Sequence, residues 1–255
     1  MYLGIDHLVI AVADPDEAVV AFERAVGRAP TGGGRHEALG TFNRIVWLGD
    51  PYLEFIGIFD PSLAERSWVG RPARRALETD GGFATWAIAT DDIDGDIAAL
   101  RPGGSSLGEP RPGERRRDDG SVVRWRLAAP DLLGPGEPPF LIEHDETGAE
   151  WAPSDRAERA AQAERLGGPI GIDALELPVD DPNVASQRLT RTVGLRFRPS
   201  LAGGGARDAS IGRQIVRLRP RRGGPATVVI RLRAPVAHER AIELFGCRWV
   251  VGPRR

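Results

Sequence analysis

Three short segments put ionisable side chains where apolar neighbours predominate. His7 sits in Gly4-Ile5-Asp6-His7-Leu8-Val9-Ile10, Glu54 in Pro51-Tyr52-Leu53-Glu54-Phe55-Ile56, and Glu143 in Pro139-Phe140-Leu141-Ile142-Glu143-His144. Burying an unpaired carboxylate costs several kcal/mol, so each Glu must neutralise, pair or hold a cation. One histidine with carboxylates is a borderline-to-hard donor set, suited to Zn²⁺, Mn²⁺, Fe²⁺ or a similar ion. The competing reading pairs an inward Glu with Arg124 or Arg126 on a facing strand. His144 points to the opposite strand face from Glu143 and becomes the substitute ligand if a bulge or a register error intervenes. His36 and Asn43 follow a run of glycines and read either as ligand contacts or as members of a hydrogen-bonded hairpin. Arg115-Arg116-Arg117 runs into a turn and reads as an anion contact or a solvated loop, with Arg124 on the strand that follows.

The composition removes whole classes of function. All 34 basic residues are arginine, so Schiff-base chemistry on a lysine and lysine-bearing phosphate loops are excluded. A net charge of −2 gives no reason to expect a nucleic-acid partner. The single cysteine, Cys247, reads as a small buried hydrophobe. There is no apolar run of about 18 residues to span a bilayer, and Met1 to Val12 lacks the basic start and cleavage site of a signal peptide. The expectation is a cytoplasmic protein with a small-molecule substrate or ligand, and with neither nucleic acid nor membrane as partner.

An internal repeat organises the chain. Residues 4–28 align without gaps to 171–195, a shift of 167, with 11 of 25 positions identical, among them Gly-Ile-Asp, Asp-Pro and Val-Gly. Residues 5–13 read as a buried strand, with Ile5, His7, Val9 and Ala11 on one face. Asp14 is the expected N-cap, Pro15 the first helical residue and Gly27 the stop. Arg35–Gly40, Thr41–Leu48 and Tyr52–Phe59 complete a βαβββ module. A fainter copy starts at Phe83 with a shift of 78, placing Thr85 where His7 stands, and its later strands are Ser121–Ala128 and Pro139–Asp145. The expected organisation is a paired βαβββ domain over 1–150, a linker over 151–168 that holds a helix from Trp151 to Leu166, and a third, incomplete βαβββ module over 169–255. The fold class is α+β, with paired βαβββ modules forming a cup-shaped sheet and a third βαβββ-like module beside it.

The repeat, the His7 and Glu54 strands, Gly40-Thr41-Phe42-Asn43 and Arg124-Trp125-Arg126-Leu127 together resemble the vicinal oxygen chelate superfamily, and within it the glyoxalase-like domain subgroup. That resemblance implies paired modules curled into a cup with a divalent metal (Zn, Mn, Fe, Ni or Mg) held by His7, Glu54 and Glu143. The usual fourth ligand maps to Thr85, or to neighbouring Trp86 if the alignment slips, and Ala174 takes the His7 place in module three, where Ala226–Leu232 holds no clear glutamate.

Two functional expectations follow. In one, the metal chelates neighbouring substrate oxygens as a Lewis acid in a lyase, isomerase or dioxygenase reaction, Glu54 or Glu143 carries the proton, and His36, Asn43 and Arg124 bind the substrate. In the other, the cup holds no metal and sequesters a small apolar molecule or drug. Because three modules leave one without a mate, the chain is expected to form a homodimer.

Overall fold

The computed structural model describes residues 2–29, 31–165, 167–221 and 227–253. Strand β1 (Gly4–Ala11) is followed by helix α1 (Pro15–Val26), β2 (Gly32–His36), β3 (Thr41–Trp47) and β4 (Tyr52–Ile58). Asp14 caps α1 by accepting from the amides of Asp16 and Glu17, and Gly27 ends it in the left-handed conformation. The expected strand over Arg35–Gly40 lies earlier, at Gly32–His36, and Glu37–Leu39 forms a single 3₁₀ turn. The glycines there serve close strand approach rather than a turn. A Cβ on Gly34, at φ 155°, would stand 2.0 Å from the Arg116 carbonyl oxygen.

Two short helices absent from the sequence reading, α2 (Pro61–Arg66) and α3 (Gly70–Leu77), lead to β5 (Gly82–Ala89) and α4 (Ile93–Leu100). Then come β6 (Arg111–Arg116), β7 (Val122–Ala128) and β8 (Phe140–His144). The arginine cluster expected in a loop therefore begins inside a strand. The first eight strands close into a barrel in the order β1-β4-β3-β2-β6-β7-β8-β5, so the cup of two modules is sealed on both sides.

Helix α5 (Pro153–Arg165) connects to the second sheet, and the Leu166 end foreseen for it lies outside the described residues. β9 (Gly171–Val179), α6 (Pro182–Val193), β10 (Arg198–Pro199), β11 (Arg207–Ile211) and β12 (Gln214–Pro220) repeat the module. They are followed by β13 (Val228–Ala234), β14 (Arg240–Leu244) and β15 (Cys247–Pro253). Ala226, the first residue of the segment read as holding no clear glutamate, is outside the described residues. The seven strands run β10-β11-β12-β9-β13-β15-β14. β9 pairs parallel with β12 and antiparallel with β13, just as β1 pairs parallel with β4 and antiparallel with β5. The third module thus meets a helix-less strand trio of its own chain. One continuous apolar core joins the two sheets, with Phe22, Trp86 and Ile97 from the first unit packed in the same cluster as Leu175, Leu218, Ile230 and Trp249 from the second.

The repeated Gly-Ile-Asp marks a β-bulge. On β1, Ile5 pairs with Ile88 and His7 with Ala87, leaving Asp6 as the extra residue. On β9, Ile172 pairs with Leu232 and Ala174 with Arg231, leaving Asp173 extra. On β5 the slip between Val9↔Thr85 and Ile10↔Phe83 leaves Ala84 extra. The three bulges are separated by the same shifts, 78 and 167, that relate the sequences. The bulge also corrects the facing of Ile5. Ile5 packs outward with Leu8 and Ile10, while Val9 and Ala11 face inward.

Candidate active site inside the barrel

The bulge turns Asp6 and His7, neighbours in sequence, toward each other. Asp6 Oδ1 lies 2.6 Å from His7 Nδ1. Both residues are buried. A carboxylate accepting at Nδ1 selects the tautomer protonated there and leaves Nε2 free to act. His7 Nε2 lies 3.5 Å from Glu54 Oε2. The ring stacks on Tyr52 at 4.4 Å and meets Phe140 edge-on at 5.4 Å, which fixes its plane.

Glu54 is brought up by β4 and is held from β3, whose Asn43 Nδ2 donates to Oε1 at 2.6 Å. Asn43 Oδ1 in turn faces the guanidinium of Arg115 on β6 at 3.4 Å, and Arg115 donates to Glu150 at 2.5 Å. His36, at the end of β2, hydrogen-bonds Thr41 Oγ1 through Nδ1 at 3.0 Å and places Nε2 4.0 Å from Glu54 Oε1. His36 and Asn43 are thus both hairpin members and chamber residues. Burial lowers the His36 pKa to about 4, with the charges of Arg115 and His7 adding to the shift and that of Glu54 opposing it. Burial pushes the Tyr52 phenol well above its ordinary range, helped by the Asp6 and Glu54 charges, so it stays protonated.

Glu143 does not join this group. On β8, Phe140, Ile142 and His144 face the chamber, whereas Glu143 faces outward, where its carboxylate meets Arg126 at 3.4 Å and the Ile93 amide at 3.3 Å. The reading that paired a Glu with Arg126 describes it. His144 enters instead, with Nε2 3.0 Å from Asp6 Oδ2, its ring stacked on Trp151 at 3.7 Å and its Nδ1 buried without a hydrogen-bond partner. No strand bulge is needed to admit it, because the face is set by the register Trp125↔His144 and Arg126↔Glu143. Burial works to raise the Asp6 pKa, but His144 and His7, by charge and hydrogen bonds, hold it well below the usual carboxylate range.

The bulges give the true equivalences between modules. Val9 is level with Glu54, and Ala87, 78 residues on, is level with Phe140. Glu176, 167 residues after Val9, is level with Arg217. Thr85 and Ala174 take the His7 place, and Phe140 and Arg217 take the Glu54 place. At these equivalent positions only module one of the barrel carries a histidine and a glutamate, and module two contributes aromatic and basic groups around them. Asp6 and Glu150 are the site residues that sequence reasoning does not name, whereas it takes Arg115 as an anion contact or part of a solvated loop and His144 only as a conditional substitute for Glu143. The repeat of Gly-Ile-Asp was the available signal for Asp6.

His7, Asn43, Tyr52, Glu54, Arg115 and Phe140 line a chamber of about 40 Å³, room for little more than one water-sized group. It adjoins a cleft of about 800 Å³ that shares His36, Leu39, Trp68, Trp125 and His144 with it. Arg124 stands at the edge of that cleft, largely exposed and 3.8 Å from Glu114.

A family model described as a glyoxalase-like domain matches residues 5–193. The chain belongs to the glyoxalase-like domain family. It is a member of the vicinal oxygen chelate superfamily, and the family match extends through the first strand and helix of the third module of this glyoxalase-like chain. The solved structure of a hypothetical protein from Staphylococcus aureus is similar over 98% of this chain and 99% of that one, with a TM-score of 0.77 and 16% identity. Methylmalonyl-CoA epimerase from Streptomyces coelicolor is similar over 57% of this chain and 99% of its own, with a TM-score of 0.43 and 21% identity. The Mycobacterium tuberculosis epimerase gives 60% and 91%, a TM-score of 0.40 and 21% identity. No curated protein matches the chain.

Proposed function

We propose that this glyoxalase-like protein is an enzyme that moves a proton on a small oxygenated molecule, with His7 and Glu54 as its acid–base pair. The observation that carries the reading is the line Asp6–His7–Glu54, in which a buried carboxylate orients the imidazole and aims Nε2 at a second carboxylate across 3.5 Å. A base oriented by a third group, in a chamber closed on most sides, is the arrangement general acid–base catalysis requires. Asn43 holds Glu54 in place, and the Arg115 guanidinium supplies positive charge to a developing oxyanion. The chamber admits only the reacting end of a ligand, so the remainder lies in the cleft.

The divalent metal implied by the family resemblance does not fit as the set His7, Glu54 and Glu143. Glu143 is engaged on the outer face, and among the described residues no group of three or more His, Cys, Asp or Glu side chains is arranged to hold an ion. A metal-free ligand-binding role is favoured by one feature, the rings of Trp68, Trp125, Phe140 and Trp151 along the chamber wall.

The test is proton exchange from carbon in D₂O, followed by NMR over a panel of small 2-hydroxy and 2-oxo compounds. Wild-type protein should exchange at least one of them, and His7→Gln and Glu54→Gln should each slow it by about 10²-fold or more. Exchange that is unaffected by both variants overturns the assignment, and binding without any exchange supports the ligand-holding role. We propose a cytoplasmic location on the sequence reading; separately, among the described residues of the protein no helix is long and apolar enough to cross a membrane. We further propose a homodimer; among the described residues β10 and β14 are the edges of the second sheet, and light scattering over a concentration series decides the assembly.

A further inference from the structure

His144 ends β8 with its side chain only 7% exposed, and it lines both the small chamber and the larger cleft. Its Nε2 lies 3.0 Å from Oδ2 and 3.2 Å from Oδ1 of Asp6, the carboxylate that also meets Nδ1 of His7. One carboxylate thus orients two imidazoles. Asp6 at Nε2 selects the tautomer protonated there, so Nδ1, on the other side of the ring, presents a lone pair. That nitrogen is buried and has no hydrogen-bond partner among the described residues. The other two chamber histidines differ. Asp6 and Glu54 face the two nitrogens of His7, and Thr41 and Glu54 face those of His36.

The His144 ring is not free to turn toward another partner. It stacks on Trp151 at 3.7 Å with the planes 16° apart. Trp151 is itself buried and meets Trp47 edge-on at 5.5 Å. From α5, the guanidinium carbons of Arg156 and Arg159 stand 5.3 and 5.7 Å from the Trp151 ring centre. A fixed, buried acceptor without a donor carries a desolvation cost that a ligand donor placed on it removes. An analogue lacking the donor leaves that cost standing. The chamber beside it has room for about 40 Å³, and a hydroxyl is the donor closest to water in size.

We infer that His144 is a specificity-determining residue whose Nδ1 accepts a hydrogen bond from a ligand hydroxyl where the cleft meets the chamber. The substrate is therefore an alcohol, with the hydroxyl beside its reacting end. This rests on the acid–base reading of the chamber and adds the group by which the substrate is chosen.

Isothermal titration of the full-length protein with α-hydroxyacetophenone, its methyl ether and acetophenone tests it. The ether keeps the oxygen and loses the donor. The hydroxy compound should bind about tenfold or more tightly than either of the others. His144→Gln, which keeps an N–H for Asp6 and takes the acceptor from the Nδ1 place, should abolish that preference. Should this variant fail to fold, the ¹⁵N signals of the wild-type histidines decide. The His144 Nδ1 signal should move upfield with the hydroxy compound and stay in place with the ether. Equal binding of the three compounds, no binding of any, a preference that survives His144→Gln, or an unmoved Nδ1 signal overturns the inference. His7→Gln should retain the preference, because His144 keeps its own bond to Asp6. A preserved preference without exchange of the α protons in D₂O therefore fails only the acid–base reading, and exchange without a preference fails only this one.

Discussion

Gln214, the first residue of β12, accepts the amide of Ile5 at 2.6 Å and faces the Ile5 carbonyl with Nε2 at 3.5 Å. β4 pairs with β1 only from His7 onward, so a side chain of the second sheet supplies the backbone partner that β4 does not reach. Ile5 is the residue before the bulge at Asp6. The second sheet thus braces the turn of backbone that aims Asp6 and His7. Gly4 leaves the room, since a Cβ there would stand 2.7 Å from Gln214 Oε1.

Gln214→Ala leaves the buried Ile5 amide unpaired and should cost about 1–3 kcal/mol in urea unfolding. The His7 ring signals in NMR should shift as well. A variant as stable as wild type with unchanged His7 signals would show that the brace is idle.

Acid should destabilise the protein in two stages. His36 has its pKa lowered from 6.5 to about 4 in the fold, so the unfolded chain takes up its proton first and stability falls from about pH 6.5 down to about pH 4. That contribution is of the order of 3 kcal/mol. Asp6, also depressed, contributes stability above its unfolded pKa of 3.8 that is lost as pH falls further. The pH dependence of the urea midpoint in wild type and His36→Gln checks the first stage, and the variant should be flatter between pH 6.5 and 4.

Arg115→Met should destabilise by about 3–5 kcal/mol, because it leaves the buried Glu150 carboxylate without its close partner. Arg117, 3.4 Å from the other Glu150 oxygen, is more exposed and replaces it only in part. The double variant Arg115→Met, Glu150→Met should recover much of the loss by thermal melting. A double variant no more stable than the single one would mean that the stranded Glu150 charge is not the source of the loss.

Glu143→Gln should change stability by less than about 1 kcal/mol, since its contacts with Arg126 lie at a partly exposed rim. It should leave the metal content of the purified protein, measured by elemental analysis, the same as wild type. A loss of bound metal confined to this variant would restore Glu143 as a ligand.

Gly34→Ala sets a methyl 2.0 Å from the Arg116 carbonyl at the seam where β2 meets β6. Neither backbone has a flexible end to yield. The substitution should open the seam between the two modules, seen as loss of soluble protein or as a melting point lower by several degrees.

Much of the architecture is written in local pattern. The helix starts at Asp14 and Asp92, the stop at Gly27, the 167-residue repeat and the inward His7 all follow from capping, period-two alternation and repetition, which depend on residues close in sequence. Tertiary structure decided the rest, because it depends on which strand lies alongside which. A single extra residue at Asp6 changes the phase of β1 and brings two successive side chains into one site, and only the pairing with β5 reveals it. Glu143 and Glu54 occupy similar apolar strings, yet the register of β8 against β5 puts Phe140 at the equivalent place and turns Glu143 to Arg126. Arg115 reads as one charge in an exposed run until β6 closes the barrel and buries it beside Glu150. The mate of the third module is β13, found further along the same chain, since pairing between distant strands is a matter of closing a sheet and leaves no local trace.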